Sequence, residues 1–423
     1  MGIKIGVVGC GFFSADFIRL FSLHPDVEEV AVADVVEQRA RETAEKFHLK
    51  RYFTSFEEML DKAPDLDSIA IFTQRHLHGP MVIEALQRGK NVYSAVPIGC
   101  TVDEIRQILE LTEKTRKIYM MGETCYYYPC AIYCREHYEK GDFGNFVYGE
   151  AQYYHDICEM YNDFKHSGGE HWQRAAGIPP MFYPTHSISM VFSAIHQHAL
   201  KVSCMGLRDH HEDNIYGEGK NNWDNPFSNE TAIFQMSGGG VVRINEFRRV
   251  GINKPSSYIT CFYGDKGAYE CSVTHHSFQK GVASGETPYL EDVGPLVNTE
   301  RYNEELPTMD LQHGPISVRY IEGFAKIQDR SRLPVEFRNP EAHSHYNSHP
   351  FLVDDFVRAV LSGKLPPNNA WDAARYMIPG LIAHESALQG GVLLDIPDFG
   401  DAPANWEKLT FEKKDYYEVP KHA

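Results

Sequence analysis

A chain of 423 residues, 43% of them hydrophobic, is long enough for two domains with real interiors, and a formal charge of -17 argues against a phosphate-backbone partner, which would need clustered Lys and Arg. No apolar run reaches the roughly 18 residues needed to span a bilayer, and no repeat array or low-complexity tract occurs. Nine irregularly spaced cysteines read as free thiols in a reducing compartment.

The first apolar strand, Lys4 to Val8, follows Met1 so closely that no secretory leader is expected, which suggests a cytoplasmic enzyme. It runs into Gly9-Cys10-Gly11-Phe12-Phe13-Ser14, with a helix predicted from about Ser14. Gly9 and Gly11 permit a tight turn close to a pyrophosphate, and the helix aims its unpaired N–H groups at the phosphates from the backbone around Phe12 and Phe13. Asp34 closes the second strand, Glu29 to Ala33, where a carboxylate accepts the ribose hydroxyls of NAD and repels the extra phosphate of NADP. A helix from Val36, a strand Ser68 to Phe72, a helix from Pro80, a strand Asn91 to Ser94, a helix Val102 to Thr115 and an edge strand Ile118 to Met121 follow. This alternation predicts an α/β architecture, a Rossmann doubly wound parallel sheet over residues 1–122, with ligands bound at the carboxyl ends of its strands.

Beyond Gly144 the pattern changes to longer strands: Phe146 to Tyr154, Thr231 to Met236, Val241 to Phe247 and Tyr258 to Tyr263. Ser237-Gly238-Gly239-Gly240 and Gly264-Asp265-Lys266-Gly267 sit where hairpins need positive φ. Residues 123–423 therefore read as an α+β domain with a large, mostly antiparallel sheet. Helices Ala131 to Tyr138, Pro184 to Ile195, Pro350 to Leu361 (stopped by Gly363) and Trp371 to Leu388 (kinked at Pro379) are expected to cover that sheet, the last pair packing back on the first domain.

Tyr183-Pro184-Thr185-His186 opens one of these helices, with Ile188, Val191, Phe192 and Ile195 as its buried stripe. Tyr183 and His186 then share its first turn, where the helix dipole lowers a phenol pKa and disfavours imidazolium, favouring proton acceptors. Hydrogen-bonded core residues show the same spacing, so the pattern leaves both readings open. Tyr153 and His155 share one strand face, opposite Tyr154. Cys130 and Cys134 share a helix face as a metal pair or, more simply, as small apolar residues. Asp209 to Asp213 reads as a solvated loop, and His343, His345 and His349 as capping or interface groups before metal or sugar ligands; no metal is assigned.

Together, the Gly9 turn, Asp34, the Thr73-Gln74-Arg75-His76-Leu77-His78 loop, the Asn91 to Pro97 segment, Gly141-Asp142-Phe143-Gly144, Gly264 to Gly267 and the late His384-Glu385-Ser386-Ala387 helix resemble the Gfo/Idh/MocA family of NAD(P)-dependent sugar oxidoreductases. The resemblance implies cofactor contacts from Gly9, Gly11, Phe12, Phe13, Asp34, Thr73, His78, Ala95, Pro97 and Glu123. Family dehydrogenases carry Glu-Lys-Pro after the fourth strand, whereas this chain has Ala95-Val96-Pro97, and Val96 has no proton to exchange.

Tyr183-Pro184-Thr185-His186, Glu123, Tyr153-Tyr154-His155-Asp156 and Arg174 are similar to the family's NAD-dependent glycosidase branch, which implies catalytic roles for His186, Tyr183, Tyr153, His155, Glu123 and Arg174. The function expected is NAD-dependent hydride transfer at a ring hydroxyl of a sugar or glycoside, at C3, either stopping at the keto sugar or using it for redox-neutral glycosidic cleavage. A plain sugar or cyclitol dehydrogenase and a non-catalytic sensor are the alternatives. A small-molecule sugar partner, no nucleic acid or membrane, and a homodimer or homotetramer complete the expectation.

Overall fold

The computed structural model describes residues 2–251, 256–272, 275–299, 323–338, 345–413 and 416–417. The six strands β1 (Ile3–Val8), β2 (Val27–Ala33), β3 (Tyr52–Phe53), β4 (Ser68–Ile71), β5 (Asn91–Ser94) and β6 (Tyr119–Met121) form one parallel sheet in the order β3-β2-β1-β4-β5-β6. That is the doubly wound order, with its reversal between β1 and β4, where a crevice opens at the strand ends. β1 is buried from Ile5 to Val8, as suits a strand covered on both faces.

The helices α1 (Phe12–Leu23), α2 (Glu37–Lys46), α3 (Phe56–Lys62), α4 (His78–Gln87) and α5 (Val102–Thr115) connect these strands. α1 starts two residues before the predicted Ser14 because Gly11, in extended backbone, serves as its N-cap. α4 starts at His78, not Pro80, which places Pro80 in the first turn where a missing N–H costs no helix bond. The short β3 and α3 carried no periodic signal strong enough to predict.

The second sheet holds β7 (Phe146–Tyr154), β8 (Ala199–Arg208), β9 (Phe227–Met236), β10 (Val241–Phe247), β11 (Ser256–Gly264), β12 (Gly267–Ser272), β13 (His275–Lys280), β14 (Tyr289–Asp292) and β15 (Leu394–Asp395). Its order is β14-β13-β12-β11-β7-β10-β9-β8-β15, antiparallel apart from the β7/β10 pair. β8, β12, β13, β14 and β15 escaped prediction.

The Gly239 turn between β9 and β10 has the expected positive φ of 93°. Gly264 and Gly267 do not adopt positive φ. Close approach demands glycine at Gly264 instead, since a Cβ there would lie 2.0 Å from the Phe143 carbonyl oxygen.

α6 (Pro129–Glu139), α7 (Ile157–Gly168), α8 (Trp172–Ala176), α9 (Thr185–Ile195), α10 (Ser348–Ser362) and α11 (Ala370–Leu388) complete the main helices. Every residue of α9 is buried, not only the predicted stripe, because the helix lies between β7, α6 and α11. α11 runs unbroken through Pro379, where a kink was expected. α10 packs on α1 and α11 on α5 and β6, which clamps the two sheets around the crevice.

Candidate active site

The nucleotide side follows directly from local sequence. Gly9 has a φ of 98°, and a Cβ there would sit 2.6 Å from the Phe72 carbonyl oxygen, so only glycine serves. A Cβ on Gly11 would meet nothing within 4 Å, which leaves open space above the turn. α1 has no side-chain cap and no acid in its first turn, so its leading N–H groups face that space without a side-chain acceptor. At the end of β2 the Asp34 carboxylate accepts the N–H groups of Cys10 (2.9 Å) and Val36 (2.8 Å), leaving lone pairs for a ribose. These features fit NAD.

Thr73, Ala95 and Pro97 stand in the loops after β4 and β5 at the same edge. His78, expected at the cofactor or substrate, is instead fully buried with its ring nitrogens against the carbonyls of Pro97 (2.9 Å) and Thr73 (3.0 Å). It ties the two loops together, and burial pushes its pKa down. Val96 is buried at the position where the resemblance places a Lys.

Across the crevice, residues distant in sequence converge. Glu123, just past β6, is wholly buried; its Oε1 accepts the Cys125 N–H (2.8 Å) and contacts His186 Nδ1 (2.7 Å). With Nδ1 held by the carboxylate, His186 Nε2 is the nitrogen left to meet a substrate. The Tyr153 and Tyr183 rings lie 4.9 and 5.0 Å from His186, and the Tyr153 hydroxyl bonds to His155 Nδ1 (2.7 Å). Tyr154 stacks on Phe247 on the other face of the sheet.

The expected dipole effect on Tyr183 does not prevail. Burial raises its pKa, opposed by Arg75 and Arg248. Burial likewise raises Tyr153. Either phenol is therefore a proton donor or hydrogen-bond partner before it is a phenolate.

Arg174 does not join this group: it is exposed on α8 and bonds Asn222. Two other arginines do. Arg75, in the loop after β4, lies 4.1 Å over the Tyr183 ring, and Arg248, after β10, lies 4.9 Å over Tyr153. Arg248 pairs with buried Glu246 (2.9 Å), which also accepts the Ser187 hydroxyl. Burial pushes Glu246 up to about 8. Its signal was present in β10, where Val242, Ile244 and Glu246 alternate onto one buried face and an acid breaks the apolar run.

His345 and His349 pack at 5.7 and 5.4 Å against Phe13 of the nucleotide turn, and His349 Nδ1 pairs with Asp16 (2.7 Å). His343 lies outside the described residues. Cys130 and Cys134 are buried thiols with pKa raised by burial. Among the described residues the group able to approach one cation is Glu123, Cys125 and His186, with ligand atoms within 4.8 Å of one another. One oxygen of its carboxylate, Oε1, contacts the imidazole and forms a carboxylate–histidine dyad. No helix among the described residues is long and apolar enough to cross a membrane.

Residues 3–123 match the model of the Gfo/Idh/MocA oxidoreductase family, NAD-binding Rossmann fold. Over 420 residues the chain is 26% identical to a glycosyl hydrolase family 109 protein of Saccharopolyspora erythraea, covering 94% of this chain and 83% of that protein. It is 25% identical over 364 residues to an alpha-N-acetylgalactosaminidase of Bacteroides fragilis, covering 82% and 78%. Among solved structures it is similar to levoglucosan dehydrogenase in complex with NADH and L-sorbose (TM-score 0.71, 14% identity, 94% of this chain and all of that one).

Proposed function

We propose, from an N-terminal domain that belongs to the NAD-binding Gfo/Idh/MocA oxidoreductases, that this enzyme oxidises a glycoside at C3 of the sugar ring and uses the resulting ketone to cleave the glycosidic bond without net redox change. The observation that carries this reading is the buried Glu123–His186 dyad beside Tyr183, which supplies a proton acceptor where Val96 has replaced the amine of a simple dehydrogenase.

Bound NAD, held by the Gly9 turn and Asp34, supplies a hydride acceptor that also returns the hydride. His186 Nε2 takes the proton of the ring hydroxyl, and Glu123 stabilises the imidazolium that forms. A C3 ketone acidifies the hydrogen on C2. His155, whose Nδ1 meets the Tyr153 hydroxyl across the His186 ring, removes it as the C1 substituent leaves with a proton; water then adds at C1 and the returning hydride restores the C3 hydroxyl. Tyr183, held by Arg75, orients the reacting hydroxyl.

The test is incubation with aryl and natural glycosides, with and without added NAD, following aglycone release and NADH absorbance. Aglycone release without NADH accumulation, abolished in His186→Ala, is expected. Steady NADH formation from a free sugar with no aglycone release would assign a plain dehydrogenase instead, and inactivity across a broad panel would remove both readings.

A further inference from the structure

Arg75 places a guanidinium at the wall of the crevice. It lies over the Tyr183 ring at 4.1 Å and the Phe164 ring at 5.6 Å, half-buried at the carboxyl end of β4. No carboxylate among the described residues pairs with it. The neighbouring acids are spent elsewhere: Glu246 on Arg248 and Ser187, Glu123 on His186 and the Cys125 N–H. Arg248 shows the contrasting case of a crevice arginine whose guanidinium already contacts a carboxyl group of its own chain, Glu246, at 2.9 Å.

A guanidinium laid against aromatic faces has its flat surfaces desolvated while its N–H edge stays available. That edge matches a carboxylate with two parallel hydrogen bonds. The exposed N–H edge of such a cation is hydrated, and a ligand carboxylate would replace that water with bonds of the stronger, charge-assisted kind. Arg75 also touches Tyr183, so the missing anion belongs on the sugar side of the crevice and not at the Gly9 turn. A single cation balances a single negative charge, which favours a carboxylate over a phosphate monoester.

We propose that the substrate is a uronic acid glycoside whose carboxylate pairs with Arg75. This rests on the glycoside reading above and narrows its substrate class.

The experiment has two arms, each with the NAD-saturated protein and the Arg75→Gln and Arg75→Lys variants. In the first, calorimetry compares free glucuronate and galacturonate with glucose, galactose and a hexose 6-sulfate. In the second, kcat/KM is measured for aryl glycuronides and the matching neutral glycosides, in both anomers.

Uronates are expected to bind about 10- to 100-fold more tightly than neutral sugars, the worth of a charge-assisted bidentate contact. Arg75→Gln should collapse that ratio toward one, and Arg75→Lys should keep part of it, which a merely structural role for Arg75 would not do. Thermal melting identifies any variant that fails to fold, and the parent's own ratio then decides. Neutral sugars binding as well as uronates, a ratio that survives Arg75→Gln, or tighter binding of the sulfate would overturn the proposal. Uronate binding without turnover would leave it standing while removing the glycosidase reading; turnover of neutral glycosides alone would do the reverse.

Discussion

Glu123→Gln isolates what the buried carboxylate does for His186. In the parent a single oxygen, Oε1, receives both the Cys125 N–H at 2.8 Å and the imidazole at 2.7 Å, while Oε2 makes no hydrogen bond. The glutamine carbonyl can replace Oε1 and keep both contacts, so the side chain stays in place and only the charge is lost. A hydrogen bond to a charged group contributes about 1.5–3 kcal/mol against about 0.5–1.5 for a neutral one, leaving a loss of about 1–2 kcal/mol. At about 1.4 kcal/mol per tenfold, kcat/KM for aglycone release should fall about 5- to 30-fold. Melting temperature and NAD retention, measured on the same samples, should change little, whereas His186→Ala should lose far more activity. An Glu123→Gln enzyme within twofold of the parent, with His186 still essential, would refute the claim that the carboxylate stabilises the protonated ring.

The glycine pair at the nucleotide turn separates strain from ligand approach. Gly9→Ala puts a Cβ 2.6 Å from a backbone oxygen at a positive φ and should destabilise the fold by at least about 1–3 kcal/mol, whereas Gly11→Ala should melt near the parent and weaken NAD binding alone. Equal melting of the two variants would contradict this. Asp34→Ser should lower NAD affinity and raise that for NADP, because it removes the repelling carboxylate and leaves the Arg39 guanidinium, 3.9 Å from Asp34, available to a 2′-phosphate; fluorescence titration with both nucleotides reads the ratio.

Glu246 makes a pH prediction. Burial raises its carboxyl from 4.5 to about 8, so the folded chain keeps a proton that the unfolded chain has released, and the associated stability is full below about pH 4.5 and lost as pH rises toward 8. Urea midpoints of the parent should include a decline between pH 5 and 8 that is shallower in Glu246→Gln; identical slopes would show that Arg248 keeps the acid ionised.

The first 34 residues carry their function locally. The reading of Gly9, Gly11 and Asp34 rests on backbone conformation and strand ends, so the glycines taken with the strand before, the helix after and the acid downstream point to a nucleotide turn of NAD type. The alternation of strand and helix up to Met121 likewise implied the parallel sheet, because each βα unit buries its own apolar face against its neighbours. Pro184 to Ile195 read as a helix from its apolar stripe, but its all-round burial depends on β7, α6 and α11 arriving from elsewhere in the chain.

The chemistry of the crevice was decided by tertiary structure. Glu123 and His186 meet across 63 positions, and Arg75 reaches Tyr183 from the opposite domain, so no local pattern announces either contact. Burial, which no spacing reveals, reversed the expected effect on Tyr183, turned His78 from a ligand contact into a clasp between loops, and left Arg174 outside in favour of Arg75 and Arg248. Local sequence sets backbone turns and strand periodicity; the packing of two sheets sets which polar groups lose water together.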